Sequence, residues 1–133
     1  MSSLIASVLE IQNSDNLHLV KFEFNSQVLT MMSLELSEDI KVGKKVRLSV
    51  KPTNVVLAKD ISGKLSFANQ IKSKIIYIEN GKLLSSIDLK VSDIILESII
   101  TKESAIRLDL KIDDEVMIMI KASDISIAEV LDV

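Results

Sequence analysis

The chain of 133 residues has room for one ordinary domain or two very small ones, and its charge is balanced: seven basic and seven acidic groups lie in residues 1–60, nine and twelve in residues 61–133, for a net −3. With no basic stripe and aromatics at only 3%, it lacks both the electrostatic track and the stacking platform that a nucleic acid requires. The absence of cysteine excludes disulfides, thiolate metal sites and cysteine nucleophiles, and the single histidine, His18, cannot build a multi-histidine metal centre.

Taken from the N-terminus, Leu4–Ile11 is a short aliphatic and β-branched run that ends in a polar turn, Asn13-Ser14-Asp15-Asn16. Glu10 interrupts this run and no basic residue precedes it, so it is unlike a signal peptide. Val20–Phe24 alternates apolar and polar as a half-buried strand does, Asn25-Ser26 turns the chain, and Val28–Met32 is another strand-length run. Ser33–Ile40 has no clear period and leaves room for a helical turn. Val42-Gly43-Lys44 is a tight turn into the strand Lys45–Val50, and Asn54–Leu57 closes the unit.

The polar stretch Lys59–Lys64, with one of only three glycines, reads as a linker. Beyond it the pattern repeats: Ile75–Ile78 answers Val8–Ile11, Ser86–Val91 alternates like Val20–Phe24, and Ile94–Ile100 matches the run through Met32. Asn80-Gly81 between apolar runs predicts a type I′ hairpin turn. The one convincing helix is Thr101–Leu108, with Thr101 as its N-cap. Lys111–Glu115 then turns the chain into the strand Val116–Ile120. The two copies align without gaps from Lys41–Asp60 to Lys111–Val130 and drift by about three positions upstream. Such a period is too long for a solenoid unit, so the chain reads as all-β: two fused small barrels, residues 1–60 and 61–133, each with at most one short helix.

Within this frame three segments resemble, in order and at the right intervals, the signatures of the molbindin (Mop) family. Leu65-Ser66-Phe67-Ala68-Asn69-Gln70-Ile71 is similar to its opening Ser-Ala-Arg-Asn-Gln. Ile100–Ala105 with Leu108-Asp109-Leu110 is similar to its Ile-Thr-x-x-Ser-x-x-x-Leu-x-Leu, and Ile120–Ile125 to its closing Lys-Ala-Ser/Pro. Val50–Val55 also resembles the equivalent corner of TOBE domains in transporter ATPases. The resemblance implies OB-like barrels of the di-molbindin kind that bind molybdate or tungstate, for storage or buffering, at interfaces between units.

A tetrahedral dianion needs convergent donors and modest positive charge. Thr101 and Ser104 place two hydroxyls at the start of the helix, Lys121 offers a point charge, and Ala122-Ser123 offers unobstructed amides and a further hydroxyl. Ser66 is the hydroxyl that matches the family's opening signature. The assigned oxyanion set is therefore Ser66, Thr101, Ser104, Ala105, Lys121, Ala122 and Ser123, with Thr101 and Ser104 across from the Lys121 corner. Ser33, Lys51, Pro52 and Thr53 are the weaker equivalents in the first copy. Taken alone, Thr101 and Ser104 would be an ordinary helix cap and Lys121 a solvated strand-end lysine.

One departure from the family is plain: Ala68 stands where the signature has arginine, which removes a fork of charged donors worth about 1.5–3 kcal/mol. It motivates an alternative, a ligand-free regulatory or assembly module that binds another protein through the same barrels. His18 reads as a barrel-rim residue, Met31, Met32, Met117 and Met119 as adaptable core fillers, and Ser37-Glu38-Asp39 and Asp113-Asp114-Glu115 as solvated turns. No Ser-His-Asp set, Gly-rich phosphate loop or zinc motif is present, so the reading is not an enzyme, with no organic cofactor and no cation ligands. No apolar run approaches the ~18 residues of a membrane span, so the predicted location is cytoplasmic. Small aliphatic barrels without disulfides favour association, and a homo-oligomer, a dimer or trimer of two-repeat chains, is expected.

Overall fold

Period-two burial governs nearly every element of the computed structural model, which describes residues 2–131; the last two positions of the predicted second repeat, 132 and 133, lie outside it. Strand β1 (Ser2–Ser14) turns Ser2, Leu4, Ala6 and Val8 inward, and β6 (Asn69–Asn80) turns Asn69, Ile71, Ser73 and Ile75 inward. Each pair is 67 positions apart, and each strand is bulged next, between Val8 and Glu10 and between Ile75 and Tyr77. The other strands follow suit: β2 (Leu17–Phe24), β3 (Gln27–Ser33) and β4 (Lys45–Val50) answer β7 (Leu84–Val91), β8 (Ile94–Thr101) and β9 (Glu115–Ile120). Each copy ends in a single 3-10 turn, Pro52–Asn54 or Ala122–Asp124, and a closing strand, β5 (Val56–Ala58) or β10 (Ile125–Leu131).

The closing strands are exchanged. One sheet runs β10-β4-β1-β2-β3 and the other β5-β9-β6-β7-β8, so each copy's last strand hydrogen-bonds into the sheet of the other copy. Val50 pairs with Ile125 in the first sheet, and Met119 with Val56 in the second. A pseudo-two-fold axis relates the sheets, and their inner faces share one aliphatic core in which Leu4, Leu48, Ile71 and Ile120 are at most 4% exposed. Both sheets are antiparallel and curl into OB-like barrels, as the alternation predicts.

The shift of repeat spacing from 67 to 70 has one local cause. β8 is one residue longer than β3 and the segment after it is two residues longer than the segment after β3, and the extra length accommodates helix α1 (Lys102–Arg107). Thr101 caps it by accepting from the Ser104 amide at 3.1 Å, as expected. The shorter Leu34–Ile40 segment contains no helical turn, only tight turns such as that closed by Ile40 N donating to Ser37 O.

Three turn and core expectations need correction. Asn80 ends β6 and is bonded by the Ser85 hydroxyl at 2.6 Å, while Gly81 keeps a negative φ and donates to Leu84 O across a three-residue link, so no type I′ turn forms there. That conformation occurs instead at Asn25-Ser26, where φ is 52° and 65°. Met31 and Met119 are buried core residues, but Met32 falls on the opposite side of the pleat and is exposed. The acidic turn at Asp114 is also more than solvated, because its carboxylate receives Lys59 Nζ at 2.9 Å and the Lys111 amide at 2.8 Å, pinning the start of the linker.

Candidate functional site

Asn69 is the residue of the opening signature whose role is clearest. It is fully buried, and its side-chain amide spans the two copies: Oδ1 accepts from Thr30 N at 2.7 Å, while Nδ2 donates to Thr30 O at 2.9 Å and Ile120 O at 3.2 Å. Its counterpart across the pseudo-axis is Ser2, whose hydroxyl accepts from Glu97 N at 2.6 Å. The first copy therefore retains the contact in reduced form although its sequence carries no recognisable signature. Ser66 and Ala68 precede Asn69 on the exposed connection, at the end of the second sheet where β9 delivers Lys121.

The sheet register divides the predicted oxyanion set into two groups. Ile120 pairs with Asn69 at the start of β6, whereas Thr101 pairs with Leu84, beside the far end of β6 at Asn80. Eleven residues of strand separate those ends, roughly 35 Å of chain. Ser66, Lys121, Ala122 and Ser123 therefore gather at one end of the chain's second sheet, and Thr101, Ser104 and Ala105 at the other. Within one molecule Thr101 and Ser104 do not face the Lys121 corner.

Each group has its own local chemistry. Thr101 Oγ1 donates to Ser104 Oγ at 2.9 Å, and Arg107 Nη2 donates to the same oxygen at 3.2 Å, so a guanidinium already stands beside the two hydroxyls. Sequence reasoning missed Arg107 because it occupies a variable position of the motif; its i+3 spacing from Ser104 is the signal that could have found it. Two first-turn amides are engaged, Lys102 N by Leu83 O and Ser104 N by the cap, which leaves fewer free donors than the helix start alone implies. Ala105 turns its methyl into the core. At the other end, Lys121 and Ser123 are exposed, and Lys121 forms no ion pair with the described residues.

The turn Ala122–Asp124 packs on β3 of the first copy, and Pro52–Asn54 packs on β8 of the second, where Ser98 Oγ donates to Val55 O at 2.6 Å. Ser33 and Ser123 consequently line one groove of about 540 Å³, but Glu35, Asp39 and Glu129 line it too, an unfavourable surround for a dianion. Lys51 and Ser123 meet in a separate cleft of about 250 Å³. Pro52 has no amide hydrogen to offer, and Thr53 is exposed beside it. His18 is half-buried on β2 against Asn13, a rim position.

Residues 65–127 match the TOBE domain family model. This segment is a TOBE domain. The chain is also similar to the molybdate/tungstate import ATP-binding protein WtpC of Pyrococcus abyssi (strain GE5 / Orsay), 30% identical over 100 residues that make up 75% of this chain and 29% of that protein. The chain thus spans less than a third of the length of this relative. The fold is similar to that of the cytoplasmic molybdate-binding protein ModG in a crystal form with molybdate bound, with a TM-score of 0.88, 25% identity and coverage of 94% of this chain and 93% of that one. The TOBE assignment and the ModG likeness agree with the family resemblance of the three sequence segments.

Proposed function

We propose that this protein binds molybdate or tungstate as a non-catalytic oxyanion carrier or buffer in the cytoplasm. The observation that carries the reading is the likeness, over almost the whole of both chains, to ModG with molybdate bound, together with the TOBE match on residues 65–127. The similarity to WtpC supports tungstate as an equivalent ligand. Residues 1–60 and 61–133 act as two repeats of one binding scaffold.

The oxyanion set is completed between molecules. Lys121, Ala122, Ser123 and Ser66 of one chain meet Thr101, Ser104 and the Ala105 amide of another, since a single chain holds the two groups at opposite ends of a sheet. Exposed Leu83, Leu84 and Ile106 beside Thr101 give the apolar contact such an oligomer requires. Arg107 supplies the guanidinium that the family signature places at position 68. Lys51, Pro52, Thr53 and Ser33 of the first copy form the weaker equivalents.

Calorimetric titration of the intact protein with molybdate and tungstate tests this. Lys121→Ala should weaken binding by about one to two decades, and Ala68→Arg should strengthen it, while chloride at equal ionic strength should give no heat. Silence of the wild type toward both oxyanions would overturn the proposal.

A further inference from the structure

The pseudo-axis sets the two corner turns side by side, and the cleft between them differs from its own symmetry mate. It is lined by Ser49, Lys51 and Asn54 from the first copy and by Ser123, Asp124 and Ser126 from the second. Ser49 and Ser126 are directly opposite in the β4–β10 register, so both hydroxyls lie on one face. Ser49 is only 8% exposed and lines the cleft. At the positions related by the pseudo-axis, Ser49 and Ser126 become Met119 and Val56 while Ser123 becomes Thr53, so two of the three hydroxyls have no counterpart. Lys51 and Asp124 both line it without forming an ion pair. Opposite charges held apart in a cleft of about 250 Å³ leave room for a group that accepts from the ammonium and donates to the carboxylate.

We infer that this cleft is a second anion site, selective for a tetrahedral oxyanion that carries a proton, of the hydrogen phosphate class. Lys51, the side-chain NH2 of Asn54 and the hydroxyls of Ser49, Ser123 and Ser126 supply donors to the unprotonated oxygens. Asp124 accepts from the P–OH and repels an oxyanion that has no proton to give. Phosphate monoanions and dianions keep such a proton near neutral pH, while sulfate and molybdate do not, so the carboxylate sets the selectivity. The site shares Ser123 with the proposed molybdate set and Lys51 with its first-copy equivalents, and it is told apart from that set by Lys121 and Thr101, which do not line it.

The test is titration of the full-length protein with inorganic phosphate and, separately, sulfate at pH 7 and fixed ionic strength, followed by amide shifts of residues 49–54 and 123–126. Phosphate should bind at least about tenfold more tightly than sulfate. Ser49→Ala should weaken phosphate about fivefold or more with the thermal midpoint little changed, Asp124→Asn should erase the preference over sulfate, and Lys121→Ala should leave the phosphate response unaltered. Equal responses to the two anions, no response to phosphate at tens of millimolar, or shifts scattered away from these residues would overturn the inference.

Discussion

Asn69 shows how one side chain can fasten two repeats. Its carboxamide imitates a peptide group, offering both an acceptor and donors to the Thr30 backbone while also satisfying Ile120 O. Asn69→Ala leaves the half-buried Thr30 amide and carbonyl without partners and should cost about 2–3 kcal/mol in urea unfolding, whereas Ser2→Ala, which removes a single acceptor, should cost about 1 kcal/mol. The ion pair of Lys59 and Asp114 works on the linker instead. The hydrogen bond from Lys59, followed by that from the Lys111 amide, holds the Asp114 carboxyl below its ordinary 3.8, and Lys59 is held above 10.5 by the same pair. A lowered acid contributes stability above its unfolded pKa and loses it as pH falls through the folded value; a raised lysine contributes below 10.5 and loses it as pH rises through its own. The melting-temperature gap between wild type and Lys59→Met should therefore be present at pH 7 and narrow as the pH is taken below 3.8.

At the level of elements, the strands were readable because alternation is a local property, while their partners were not. Val46, Leu48 and Val50 announce an inward face, but nothing in β4 says that its outer neighbour is Ile125–Leu131 and not its own sequel. The helix was legible from Thr101 and Ser104 and the turn from Asn25-Ser26, but the positive φ of both turn residues was not, because a serine at positive φ is tolerated only where flanking strands enforce it. The site suffered most. Its motif residues were visible in order, yet their separation along β6 follows from register, which spacing in sequence does not encode. Removing β10 by deleting residues 125 onward tests the exchange directly. Amide exchange should accelerate first in Lys45–Val50, in the copy remote from the deletion in sequence, and less in Glu115–Ile120.

The whole molecule is a pseudo-dimer in one chain, with each half depending on the other for its edge strand and part of its core. Residues 61–133 expressed alone carry β10 but not β5, so the outer edge of β9 is bare and matches the β10 of a second copy. Light scattering after gel filtration should find that fragment as a self-exchanged dimer, and adding residues 1–60 should convert it to a one-to-one complex. A stable monomeric fragment would contradict the dependence. The tether also frees the two copies to diverge, so that the corner cleft holds Ser49 and Ser126 where the equivalent positions of the other copy carry Met119 and Val56.

Strand exchange also orders events at the ribosome. β4 leaves the exit tunnel early, but the neighbour that completes its edge begins 75 residues later, from Val50 to Ile125. At ordinary elongation rates that is a wait of roughly 4–15 s. Throughout it the hydrogen-bonding edge of β4 stands open while the second copy is still being made. The half translated first is the half finished last, so translation speed over residues 60–125 sets how long this nascent chain remains open to pairing with a neighbour on the same message.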